Sequence, residues 1–236
     1  MYKEIFHFEV MLFHNLYINW DRIHKICLLK IASLQAFFNR KIQKVTENDI
    51  LSTKFNFFKE AVKNYKTSGT IIPSSRYLAN KMLKEIDFTT AKVIVELGPG
   101  NGAITHHILN KINSNTILIC FEINDAFYQE LQKIKHPQLI VLKASAEKIK
   151  TELEKLGYTK ADYIISSLPL TIIPKEISHA ILVKNYNFLA TNGAFIQYQY
   201  SLTYYKKLKD VFGNDIDLSF EPLNFPPAFI YKCVKK

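Results

Sequence analysis

Three glycines in Glu96-Leu97-Gly98-Pro99-Gly100-Asn101-Gly102 lie between an apolar run, Lys92–Leu97, and a helical stretch, Ala103–Lys111. A strand that ends in such a loop and continues as a helix can bring its backbone close to a ligand, because glycine has no Cβ in the way. The spacing is GxGxG, not the GxGxxG that seats a pyrophosphate on a helix N-terminus. An acid two residues before the first glycine suits a ligand that carries an ammonium group. A second acid, Glu122, ends the next apolar run, where a carboxylate can accept hydrogen bonds from both hydroxyls of a ribose. A nucleoside with a cationic amino-acid arm satisfies both.

The elements that must position these groups follow from periodicity. Short apolar runs at Lys92–Leu97, Ile117–Glu122, Leu139–Leu142, Tyr163–Ser167 and Ala194–Tyr200 alternate with helical stretches at Ala103–Lys111, Asp125–Lys135, Glu147–Leu156 and Lys175–Leu189. That alternation predicts an α/β fold, a mostly parallel twisted sheet with helices on both faces. After a helix at Thr203–Phe212, the runs Ile216–Phe220 and Ala228–Val234 predict a tightly linked antiparallel hairpin at the sheet edge.

Upstream, residues 1–50 form a helical extension without Gly or Pro. They read as a helix packed on the domain, an amphipathic membrane anchor, or a stretch ahead of the true translation start. Residues 51–236 form the main domain, which opens with an amphipathic helix carrying Phe55, Phe58, Val62 and Tyr65 on one stripe and Lys54, Lys59, Lys63 and Lys66 on another. Such a helix fits a core-packing role or an interfacial membrane role. Ser74 or Ser75 can cap the next helix, through Leu83.

Composition bounds the setting. The chain is 48% hydrophobic and 22% charged, as ordinary globular proteins are. A net charge of +10 favours an anionic partner, either nucleic acid or an acidic membrane surface. No window holds the about 20 apolar, nearly charge-free residues a membrane span needs, and Glu4 and Glu9 stand where a secretory signal would be basic. Three dispersed cysteines predict neither a disulfide framework nor a zinc site and suit a reducing cytoplasm. Cys120 reads as a core residue. Seven scattered histidines, with His106 and His107 on different helix sides, predict no metal site.

Together the glycine loop and Glu122 resemble the Rossmann-like class I S-adenosylmethionine-dependent methyltransferases, over a stretch from about Ser52 to the C-terminus. The resemblance implies S-adenosylmethionine as cofactor. Glu96, Gly98, Gly100, Asn101, Gly102, Ile123 and Ser166 would line its pocket, Glu122 would hold the ribose, and Ser145-Ala146 would meet the adenine. Ser145 stands where an Asp is usual, so a hydroxyl replaces the carboxylate as acceptor.

The segment Asp162-Tyr-Ile-Ile-Ser166-Ser167-Leu168-Pro169-Leu170 falls over the reacting methyl. Adenine-N6 and rRNA dimethyltransferases carry there an Asn or Asp, then Pro and an aromatic ring that stacks on a flipped base. Ser166-Ser-Leu-Pro-Leu170 instead resembles the loop of the bacterial phospholipid N-methyltransferases, which reads Ser-Gly-Leu-Pro with an apolar residue next. Gly69-Thr-Ile-Ile-Pro73-Ser74-Ser75-Arg76, Gln197-Tyr-Gln-Tyr200 and Asn224-Phe-Pro226-Pro227-Ala228-Phe-Ile-Tyr231 resemble three further segments of that family. The rRNA enzymes append a helical RNA-binding domain, whereas this chain stops at its last predicted strand.

That resemblance implies methylation of the amine of a phospholipid headgroup such as phosphatidylethanolamine, by a cytoplasmic protein peripheral to the inner face of the membrane. A backbone carbonyl near Leu168, with Ser166 or Ser167, would orient the amine, Pro169 would shape the loop, and Tyr200 would assist proton removal or steady the cationic product. A buried strand position is the competing reading of Tyr198 and Tyr200. Two alternatives stand beside the lipid acceptor: an rRNA or other nucleic-acid adenine N6-methyltransferase, and a non-catalytic binding protein with the methyltransferase fold.

Overall fold

The computed structural model describes residues 75–236. The helical extension at residues 1–50 and the amphipathic helix around Phe55–Lys66 lie outside the described residues.

Helix α1 (Arg76–Leu83) opens on Ser75, whose side chain accepts from Leu78 N at 3.2 Å and so satisfies one of the free N–H groups of the first turn. Its buried face, Leu78, Ala79, Met82 and Leu83, repeats at helical spacing. The chain then runs through β1 (Val93–Leu97), α2 (Ala103–Leu109), β2 (Ile117–Phe121), α3 (Asp125–Leu131) and β3 (Leu139–Leu142). A 3₁₀ turn (Ala146–Lys148) leads into α4 (Ile149–Lys155), then β4 (Ala161–Ser166), α5 (Lys175–Phe188) and β5 (Leu189–Gln199). A second 3₁₀ turn (Leu202–Tyr204) precedes α6 (Tyr205–Phe212), β6 (Ile216–Glu221) and β7 (Ala228–Val234).

The seven strands form one sheet in the order β3-β2-β1-β4-β5-β7-β6. Strands β1 to β5 are parallel to one another, and β7 runs antiparallel to both β5 and β6. The expected hairpin is therefore present, with β7 inside and β6 at the edge. Its 222–227 link is longer than the tight turn expected, and Phe225–Pro226 is cis.

Both faces are covered. One core layer joins Val95, Leu97, Ile119, Ile164 and Phe195 to α4, α5 and α6; the other joins Ile94, Leu118, Cys120, Ile165 and Ile196 to α1 and α2. Alternate residues of one strand feed opposite layers, so the strands read as continuous apolar runs. Among the described residues no helix is long and apolar enough to cross a membrane.

Two boundaries differ from expectation. Strand β5 begins at Leu189, not Ala194, because Thr191-Asn192-Gly193, a turn-like string, is absorbed by an irregularity in the β4–β5 register between Ala161 and Tyr163. A Cβ at Gly193 would lie 2.7 Å from the Asp162 carbonyl oxygen, which explains the glycine. At its other end β5 stops at Gln199, so Tyr200 is 38% exposed and is not a buried strand residue.

Candidate functional site

Every residue assigned to the cofactor or the acceptor lies at or just beyond the C-terminal end of a parallel strand. Those ends are where open α/β sheets bind ligands, at the point where strand order reverses, here between β1 and β4. Three backbone bonds carry the ladder past the strand ends: Gly98 N to Phe121 O (2.9 Å), Glu122 N to Leu142 O (3.0 Å) and Ser167 N to Leu97 O (2.9 Å).

The loop after β1 turns on left-handed residues. Gly98 has φ 68°, Gly100 φ 60° and Gly102 φ 82°. Gly102 caps α2, with its carbonyl accepting from His106 N. Gly98 is tight as well as left-handed, because a Cβ there would lie 2.8 Å from Leu168 Cδ2. The glycine loop and the loop after β4 thus touch across the crevice. Asn101 is exposed, and its Oδ1 accepts from Ala103 N at 3.2 Å.

Glu122 holds this loop to the one after β2. Its Oε2 accepts from Gly100 N (3.1 Å) and its Oε1 from Asn124 N (2.8 Å). A carboxylate has about four acceptor sites, so two stay available for a pair of hydroxyls. Ile123 is half-buried against the core. Asn124 also caps α3, accepting from Phe127 N.

Glu96 is fully buried. Its Oε2 accepts from Thr105 Oγ1 (2.6 Å) and Cys120 Sγ (3.4 Å), while Oε1 has no partner. Burial raises its pKa from 4.5 to about 7, against the lowering effect of those two bonds. An unpaired buried carboxylate oxygen is costly, and a cationic group delivered to it would relieve that cost. The sign of the linkage follows. A folded-state pKa above the unfolded value stabilises the fold below about pH 4.5, and that stabilisation is lost as pH rises toward about 7. Glu96→Gln is therefore expected to flatten the melting temperature against pH between those limits. A slope unchanged from the parent over this interval would assign the titration to another group.

After β3, Ser145 is buried and its Oγ accepts from Glu147 N at 3.3 Å, capping the 3₁₀ turn. The hydroxyl keeps its proton and one lone pair beyond that bond. Ala146 is fixed from the opposite side, its carbonyl accepting from Asn185 Nδ2 at 3.4 Å.

The loop after β4 is the most tied-down of all. Ser166 is fully buried, with its Oγ accepting from Leu168 N at 3.3 Å. The Leu168 carbonyl accepts from Gln197 Nε2 (3.1 Å), Gln199 Nε2 (3.3 Å) and Leu170 N (2.8 Å). The Pro169 carbonyl accepts from Ile172 N and Ile173 N. Three donors already fill the two lone pairs of the Leu168 carbonyl, so a backbone carbonyl offered to an incoming amine near Leu168 would be a neighbouring one. The buried oxygens left without a partner beside the loop are Ser167 Oγ and Gln197 Oε1. Leu170 is fully buried. Tyr200 stacks edge-on against Tyr198, with ring centroids 5.7 Å apart.

Gln197 and Gln199 are the site residues that sequence reasoning left without a role. Two glutamines at period-2 spacing on a buried strand were the available signal. Among the described residues, no cluster of three or more His, Cys, Asp or Glu side chains is placed to hold a metal ion.

A parallel sheet reversing between β1 and β4, an antiparallel last hairpin and a glycine loop facing the acid after β2 define a Rossmann-like S-adenosylmethionine-dependent methyltransferase. The left-handed cradle, the spare acceptor sites of Glu122 and the orphan oxygen of Glu96 all fit that cofactor. The chain belongs to the ribosomal RNA adenine dimethylase family, which it matches over residues 61–210.

Among its relatives, the ornithine lipid N-methyltransferase of Singulisphaera acidiphila is 28% identical over 181 residues, 76% of this chain and 94% of that protein. The ribosomal RNA small subunit methyltransferase A of Borreliella burgdorferi is 30% identical over 146 residues, 56% of this chain and 49% of that protein. In fold, the chain is similar to a precorrin-6y C5,15-methyltransferase from Geobacter metallireducens (TM-score 0.55, 13% identity, 71% of this chain and 92% of that one). It is also similar to a methyltransferase from Geobacter sulfurreducens (TM-score 0.53, 10% identity, 86% and 97%).

Proposed function

We propose that this methyltransferase acts on the amine of a lipid headgroup, phosphatidylethanolamine being the first candidate, at the inner face of the cytoplasmic membrane. The observation that carries the reading is the loop after β4. At position 170, where a base-modifying enzyme would hold a stacking ring, there is a leucine that is fully buried. At position 167 a hydroxyl replaces the carboxamide. A flipped adenine would find neither a ring nor an amide, whereas a lipid amine requires neither.

The relative that acts on ornithine lipid supports an amino-lipid acceptor, since the match spans 94% of its length. Ser75 N donates to Asn224 Oδ1 at 3.0 Å, so two of the segments that resemble the lipid enzymes meet in space.

On this reading Glu122, with Ile123 beside it, holds the ribose, Glu96 faces the amino group through its free oxygen, and Ser145-Ala146 meets the adenine. When bound, S-adenosylmethionine supplies a sulfonium methyl that a neutral amine takes in line: N–C forms, S–C breaks, the electron pair stays on sulfur, and the nitrogen sheds a proton. The protein contributes alignment. Gln197 and Gln199 fix the Leu168 carbonyl, and that fixes where Ser167 Oγ stands to accept from the amine. Ser166 closes the turn behind it. Tyr200, exposed just past the end of β5, takes the proton or steadies the cationic product on this reading.

Labelled S-adenosylmethionine, offered with phosphatidylethanolamine vesicles, ornithine-lipid vesicles or ribosomal RNA, tests the acceptor. Label entering either lipid but not RNA supports the proposal. Label in RNA alone returns the adenine reading, which the family match favours and the net charge of +10 equally allows.

A further inference from the structure

The 222–227 link is built inside out. Asn224 is 3% exposed, while its neighbours Leu223 and Phe225 are 63% and 55% exposed. The inversion is held by hydrogen bonds. Asn224 Oδ1 accepts from Ser75 N (3.0 Å), its Nδ2 donates to Pro226 O (2.7 Å), and Glu221 Oε1 accepts from Leu223 N (2.9 Å). A link that turns its amide inward and its apolar side chains outward spends surface that a free-standing soluble loop would make polar.

Register places the link beside the site. Phe229 pairs with Gln199 on one side and with Phe220 on the other, so the link leaves the sheet where β5 ends. Gln199 is the residue bonded to the Leu168 carbonyl. Leu202, two residues on from Tyr200, is 48% exposed, and Phe220 is 41% exposed with its ring 4.9 Å from that of Phe229.

The charge around this patch is mostly positive. Arg76 lies over the Tyr77 ring at 5.0 Å on the helix whose cap is bonded to Asn224. Lys81, on the same helix, donates from its Nζ to the Phe220 carbonyl at 2.6 Å, and Lys206, four residues on from Leu202, is exposed at the start of α6. Glu221 is buried and turned to the backbone.

An apolar tip with a cationic rim matches an anionic bilayer, whose acyl boundary takes the tip while its phosphates meet the rim. We propose that Leu223 and Phe225, with Leu202 and Phe220 at their flanks, insert into the surface of an anionic bilayer and so hold the mouth of the crevice at headgroup depth. This rests on the lipid reading and adds which surface docks and which side chains enter.

The sequence holds one tryptophan, Trp20, so Phe225→Trp in a Trp20→Phe background gives a single reporter. With phosphatidylglycerol–phosphatidylethanolamine vesicles, its emission is expected to shift to the blue and to be quenched by brominated acyl chains. In the parent chain, Leu223→Asp with Phe225→Asp is expected to weaken vesicle binding at least tenfold while leaving S-adenosylmethionine affinity unchanged. Vesicle binding without quenching would overturn the inference, as would quenching by an rRNA oligonucleotide in place of vesicles, or a lipid-free shift that depends on protein concentration. Methyl transfer in detergent micelles separates the two proposals. Methylated lipid in micelles with no quenching on vesicles defeats the docking surface and spares the acceptor; quenching with no methylated lipid does the reverse.

Discussion

Gly98→Ala is expected to lower S-adenosylmethionine affinity by about two orders of magnitude. Two costs add. A Cβ at φ 68° costs roughly 1–2 kcal/mol of backbone strain. The same Cβ would stand 2.8 Å from Leu168 Cδ2, and overpacking of that kind costs about 1–3 kcal/mol. Relief requires the Leu168 side chain to swing aside or one of the two loops to shift, and either change alters the wall of the crevice. Gly157→Ala is the matched control. It has a similar φ, 84°, and nothing within 4 Å of the added Cβ, so it should cost about 1 kcal/mol of stability and no affinity. Calorimetry with each variant checks the pair, and normal binding by Gly98→Ala would show that the two loops can separate freely.

Glu122→Ala should weaken the cofactor by a comparable factor for a different reason. The carboxylate joins two loops through Gly100 N and Asn124 N, and a hydrogen bond to a charged group is worth about 1.5–3 kcal/mol. On the proposed role it also takes the ribose hydroxyls. A 2′-deoxy analogue of the cofactor separates these contributions. If Glu122 contacts the ribose, the parent should prefer the natural cofactor and Glu122→Ala should lose that preference. A preference that survives the substitution would leave Glu122 with loop closure alone.

The glycine loop, Glu122, the strand alternation and the terminal hairpin were legible because each is a local pattern: three glycines after an apolar run, an acid ending the next run, apolar stretches of strand length. What escaped depends on register. The amides of Gln197 and Gln199 reach a carbonyl 29 and 31 residues away, and no spacing within β5 announces that partner. Likewise the bond from Ser75 to Asn224 crosses 149 residues. The expected strand ran one residue too far, through Tyr200, because alternation continues there while the hydrogen-bonded strand ends at Gln199. The early start of β5 was hidden by Thr191-Asn192-Gly193, whose turn chemistry serves an irregular register instead of a turn. The saturation of the Leu168 carbonyl likewise needed coordinates, because backbone oxygens look alike in a sequence.

The placement of β7 between β5 and β6 has a consequence for how the domain is assembled. Of the described strands β7 is the last to be synthesised, yet it is an interior strand with partners on both sides. Until it arrives, β5 is an open edge that could pair with another nascent chain, and Ser75 lacks the asparagine that anchors it. The crevice edge therefore forms only when two segments 149 residues apart are in register. Truncation within β7 should yield a chain that aggregates, not a smaller folded enzyme, and ribosome-bound intermediates shorter than this strand should depend on chaperones to shield β5.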